Sequence, residues 1–148
     1  MDESPSPDRA TDPVRSDRDW HVISTVDELE AVVGTPLPAV VDKVIDHVDD
    51  ICREFIARSP FCLVATSSPD GHLDISPKGD PAGFVHVLDE HHLVIPDRPG
   101  NRRADTLHNL LRDDRIALIF LVPGTTETVR VSGRARICLL YTSDAADE

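Results

Sequence analysis

With 148 residues, 40% of them hydrophobic, and a net charge of −12, the chain has the length for one domain with a real core. The acidic balance argues against broad binding to nucleic acid or to anionic membranes, since both need a basic face. Cys52, Cys62 and Cys138 show no Cys-x-x-Cys spacing and suggest no disulfide framework, and no signal peptide or apolar run of about 18 residues is seen, so the cytoplasm is the expected location.

Residues 1–19 carry Pro5, Pro7 and Pro13 among scattered Asp and Arg, with almost no large apolar side chain. Such a stretch cannot bury enough surface to offset its ordering entropy, so a disordered acidic tail is expected. Residues 20–58 read as two helices. Thr25-Val26-Asp27-Glu28 fits a capping box ahead of a short one, with Leu29, Val32 and Val33 on one face and Gly34 at its end. Pro38 suits the first turn of the second, along which Val40, Val41, Val44, Ile45, Val48, Ile51, Cys52, Phe55 and Ile56 recur at helical spacing. Asp46, His47, Asp49 and Asp50 lie largely opposite that stripe, which reads as an exposed acidic face rather than a metal site. The apolar surroundings of Cys52 and Cys62 mark them as core thiols.

From Phe61 onward strands predominate. Residues 61–66 form a near-continuous apolar strand, Ser68-Pro69-Asp70-Gly71 is a turn signal, and a second strand over 72–76 delivers the chain to Lys78. The apolar runs 83–88 and 93–95, joined by Asp89-Glu90-His91-His92, read as a hairpin. Pro96, Pro99 and Gly100 break its second strand, and an amphipathic run over 104–111 follows, with Leu107, Leu110 and Leu111 inward and Asp113-Asp114 ending it. Residues 115–122 then read as a buried strand. A turn at Pro123-Gly124-Thr125-Thr126 leads to a last strand over 127–137, which alternates Val129, Val131 and Ala135 with Arg130, Ser132, Arg134 and Arg136. The fold class expected is α+β, mainly β, with an antiparallel barrel preceded by two helices. Residues 138–148, CLLYTSDAADE, look like the translation of a transposase mosaic-end adapter joined in frame, and are read as an artefactual tail.

Lys78, one of only two lysines, and Arg98, Arg102 and Arg103 give an acidic chain one local basic patch. Free backbone N–H groups at a helix start, together with guanidinium forks, bind phosphate by simple means. Arginines flanking a helix start are, taken alone, more often solvated surface charge, and Lys78 can be an ordinary turn lysine. His86, His91 and His92 are close in sequence, but strand neighbours point to opposite faces and no zinc site is expected there. Ser67 and Ser68 lack the Gly-x-Ser-x-Gly elbow, and no Gly-x-Gly-x-x-Gly or Gly-x-x-x-x-Gly-Lys loop is present. No side-chain nucleophile or acid–base pair stands out.

Five pieces carry a family resemblance: Asp74-x-Ser76-Pro77-Lys78-Gly79-Asp80, Gly83-Phe84-Val85, Ile95-Pro96-Asp97-Arg98-x-Gly100-Asn101-x-Arg103, Phe120-Leu121-Val122-Pro123-Gly124 and Arg130-Val131-x-Gly133-Arg134-Ala135. In order and spacing, over about residues 58–137, this series resembles the pyridoxamine 5'-phosphate oxidase-like family of FMN-binding split barrels. The resemblance implies a Greek-key split barrel over 59–137, here incomplete at its C-terminus. It implies a homodimer with FMN in the groove between subunits, and an oxidoreductase acting on a small-molecule substrate. Ser76, Pro77 and Lys78 would face the flavin, Pro96, Arg98, Asn101, Arg102 and Arg103 would surround its ribityl phosphate, and Arg130 would reach the cofactor from the same or the facing subunit. The arginine-led stretch that the family's oxidases carry before the lysine is here Leu73-Asp74-Ile75-Ser76-Pro77, so their substrate specificity does not transfer. Two alternatives stay open: a non-catalytic flavin- or haem-binding module, and a deazaflavin-dependent reductase. The second suits a GC-rich bacterial genome, which the excess of arginine over Lys43 and Lys78 suggests.

Overall fold

The structure, a computed structural model, describes residues 21–139 apart from 42 and 101. The expected disordered tail and nearly all of the C-terminal eleven residues therefore lie outside the described residues, as does Asn101. The chain divides into two units, Met1–Val44 and Ile45–Glu148. Among the described residues no helix is long and apolar enough to cross a membrane.

In the first unit, helix α1 spans Val26–Val33 and α2 spans Pro38–Val41. The capping box forms as read: Glu28 N–H donates to the Thr25 hydroxyl at 3.2 Å, and the Glu28 carboxylate accepts from Ser24 N–H at 2.9 Å and Thr25 N–H at 3.4 Å. Those backbone donors hold the Glu28 carboxyl below its ordinary value. Gly34, at φ +79°, closes the helix by donating to Glu30 O at 2.8 Å.

The long second helix expected over 38–56 is instead two pieces with a non-helical stretch between. Helix α3 begins only at Asp50 and runs to Arg58. Asp49 starts it as N-cap, its carboxylate accepting from Cys52 N–H at 2.7 Å, and Val48 N–H is drawn out of helical pairing by Glu90 O at 2.7 Å. A side chain that caps and a tertiary hydrogen bond thus override a continuous apolar period carried by β-branched residues of modest helix propensity. The stripe is correspondingly shorter. Ile56 is fully buried, with Cys52 and Phe55 packed against the core, while Ile51 is exposed.

The rest of the second unit is antiparallel sheet. Strands β1 (Phe61–Ser67), β2 (Leu73–Gly79), β5 (Arg115–Leu121) and β6 (Thr128–Arg134) form one sheet in the order β2-β1-β5-β6, and β3 (His86–Val87) with β4 (Leu93–Val94) forms a small second one. Among the described residues the large sheet stays open rather than closing into a barrel, giving an α+β fold of split-barrel type. Register sets the faces, because directly opposed residues point the same way. Cys62, Val64 and Thr66 stand beside Lys78, Ser76 and Asp74 on one side and Phe120 and Leu118 on the other, and Val129 and Val131 complete that face. It is covered: Cys62, Val64, Leu118 and Phe120 join Val48, Ile56 and Val85 in the core. On the reverse face Leu73 and Ile75 are exposed, by 84% and 64%.

Two devices fasten the layers. The buried Ser59 hydroxyl lies 2.8 Å from Phe61 O and 2.7 Å from Leu121 O, tying the start of β1 to the end of β5. Gly83, at φ +85°, brings the chain so close to α3 that an added Cβ would lie 3.3 Å from Ala57 O. At the β5 entrance Arg115 grips Asp113 with two nitrogens, at 2.9 and 2.6 Å, and holds that carboxyl down at about 2.

Helix α4 is Asp105–Leu110, one residue shorter at each end than the run expected over 104–111. Leu111 points outward, 73% exposed, and the inward positions are Thr106 and Asn109. Asn109 Nδ2 donates to the buried Thr66 hydroxyl at 3.1 Å, and Thr106 donates to Asp74 at 3.4 Å, so α4 docks through polar pairs. Changing Asn109 to Ala strands the Thr66 hydroxyl and should cost about 1–3 kcal/mol. Combining Asn109→Leu with Thr66→Val should recover most of that. Urea midpoints at unchanged m measure both, and an unaltered midpoint for Asn109→Ala would show the pair contributes nothing.

Candidate functional site

Lys78 lies within β2 rather than in a loop after it, and pairs across the sheet with Cys62. Burial pushes the Cys62 thiol up, against the pull of the Lys78 charge beside it. Beyond β2, Asp80 N–H is held by Pro60 O at 3.1 Å, and the chain returns past the same strand end as the 95–100 segment. Two crossed ion pairs strap these together. Lys78 Nζ is 2.9 Å from Asp97, and Arg98 Nε is 2.6 Å from Asp80. Both acids stand in the pieces that carry the family resemblance, but neither was assigned a role from the sequence.

After Pro99 and Gly100 the backbone turns sharply. Arg102 has φ +63° and Ala104 has φ +55°, the only two non-glycine residues with positive φ among those described. Each such conformation costs of order 1 kcal/mol or more, and strain of this kind concentrates where a site over-determines the backbone. Ala104 is also the N-cap of α4 and provides no side-chain acceptor for the first-turn N–H groups. Arg103 Nε reaches Asp105 in that first turn. Arg102 has no ion-pair partner among the described residues.

These segments enclose a groove of about 460 Å³ along the free edge of β2. Pro77, which has no N–H to leave unpaired, suits that edge. Of the residues expected around a cofactor, Ser76, Pro77, Lys78, Arg98, Arg102 and Arg103 line the groove together. Pro96 is half-buried and outside it. Arg130 is exposed on β6, opposite Ile119 and three strands from β2, about 14 Å at ordinary strand spacing. Within the single chain it does not join the groove.

The electrostatics differ from a bare basic patch. Lys78, Arg98 and Arg103 are each committed to a carboxylate, and these pairs fix where the side chains lie. Arg98, bound through Nε, keeps its Nη donors for a second acceptor, so its pair with Asp80 orients the guanidinium group without exhausting it. The volume falls within the about 300–1,000 Å³ usual for cofactor sites. A phosphate group fits this donor set: convergent arginines, an uncapped helix start and a half-buried lysine further along the same wall.

An open antiparallel sheet with a helix-covered face and an arginine-lined groove on its edge strand is the architecture of a split-barrel protein. The family model for pyridoxamine 5'-phosphate oxidase matches residues 48–144, and the chain belongs to that family. It is in general a family of flavin-binding oxidoreductases. No curated protein and no solved structure matches the chain.

Proposed function

We propose that the protein is an FMN-dependent oxidoreductase acting on a small molecule, working as a homodimer with the flavin in the groove beside β2. The observation that carries this is the convergence of Lys78, Arg98, Arg102 and Arg103 on one groove around a backbone held in two left-handed turns. In this reading Arg98, Arg102 and Arg103 bind the ribityl phosphate, while Ser76, Pro77 and Lys78 line the ring's end of the groove. When bound, the flavin supplies the hydride or electron transfer. Lys78, fixed by Asp97, provides a positive charge on that wall, suited to stabilising negative charge developing nearby. The exposed Leu73 and Ile75 beside Pro77 support a second copy covering the reverse face of β2, from which Arg130 would approach.

The test is an equilibrium titration of FMN and of riboflavin, followed by flavin fluorescence. Because the phosphate engages charged donors, FMN should bind at least about a hundredfold more tightly than riboflavin. Equal affinities would remove the phosphate assignment, and no binding of either would sink the flavin reading.

A further inference from the structure

A second groove, of about 500 Å³, opens between the 68–72 turn and α4. It shares Asp74, Arg103 and Asp105 with the first, so the two meet at Arg103. Its walls add His72 from the turn and His108 and Arg112 from the helix side. Asp105 and His108, three residues apart, share a helix face, and Arg112 follows in the turn where its N–H donates to Asn109 O at 2.9 Å. Buried Asn109 and the Thr106–Asp74 bond brace the floor, so the basic groups stand on a fixed frame.

The charge distribution gives this groove a direction. Its two carboxylates are engaged, Asp105 with Arg103 and Asp74 with Thr106, and His72 sits 3.7 Å from Asp70. His108 and Arg112 have no side-chain partner among the described residues. In a chain of net charge −12, a recess whose uncommitted polar groups are an arginine and a histidine offers its free donors to an anion. We propose that this groove is a second anion site, in which Arg112 and His108 hold a phosphate or carboxylate group. The group belongs either to the outer end of a ligand whose first anion rests on Arg98 and Arg102, or to a separate small molecule. The first source rests on the flavin reading above; the site itself does not.

The experiment uses the full chain, with the His108 imidazole and Arg112 side-chain NMR signals assigned, titrated with inorganic phosphate. A saturable shift of both signals is expected, absent with sodium chloride at matched ionic strength. Arg112→Ala should weaken it about tenfold, as loss of a charge-assisted donor does, and Arg98→Ala/Arg102→Ala should leave it unchanged. A shift reproduced by chloride, kept in Arg112→Ala, lost in the double variant, or abolished by saturating FMN would each overturn the proposal. Repeating the titration with FAD separates the sources. If FAD blocks phosphate and FMN does not, the groove takes the outer phosphate of a dinucleotide; if neither blocks it, the groove takes a separate anionic molecule. Should neither flavin bind while the phosphate shift persists, the flavin reading fails and the second site stands.

Discussion

An Arg98→Ala/Arg102→Ala chain is expected to bind FMN about a hundredfold or more weakly than the parent, with riboflavin binding unchanged. Hydrogen bonds to a charged partner are each worth about 1.5–3 kcal/mol, so losing two guanidinium groups removes about 3–6 kcal/mol of phosphate affinity. The two arginines differ in their ground state. Arg98 must share itself between Asp80 and the ligand, whereas Arg102 has no competing carboxylate among the described residues. Of the single variants, Arg102→Ala should therefore have the larger effect. Alanine is the right replacement at 102, because it keeps the cost of φ +63° while removing the guanidinium. Glycine would relieve the strain and confound binding with loop stability. A double variant that lost FMN and riboflavin affinity equally would place the defect in the fold instead.

The basic patch was legible in the sequence because charge is conspicuous in an acidic chain, and because Gly and Pro punctuate the loop that carries it. What was not legible was its local neutralisation. Asp80 and Asp97 lie next to the patch in sequence, but which acid meets which base depends on the 95–100 segment returning past the end of β2. The strands were recovered because β1, β5 and β6 alternate or run apolar between strong turn signals. The helices fared less well for a physical reason. Periodicity over 38–56 is real, yet periodicity measures only where apolar groups recur, and Asp49 can satisfy backbone donors that would otherwise continue a helix. In α4 the inward positions are threonine and asparagine, whose partners, Asp74 and Thr66, come from strands more than thirty residues away in sequence. No local pattern announces a polar contact of that kind.

Replacing Phe120 with alanine is expected to be the most damaging single change to the fold. Phe120 is the largest fully buried side chain among the described residues, in register between Cys62 on β1 and Val129 on β6. Truncation to alanine removes its transfer energy and leaves a cavity that the neighbouring strands, pinned by Ser59 at one end, can fill only in part. The cost of such a change is about 3–5 kcal/mol, against a total stability of about 5–15 kcal/mol for a domain. The thermal midpoint should fall by about 10 °C or more. Phe120→Leu keeps most of the volume and should cost well under half as much. The contrast identifies the cause, because both variants remove the ring and only one opens a large void. Equal losses for leucine and alanine would mean that ring shape, not filled volume, holds β5 against α3 and the β3–β4 hairpin. A loss below about 1 kcal/mol for alanine would show that this face of the sheet is not the core on which the groove depends.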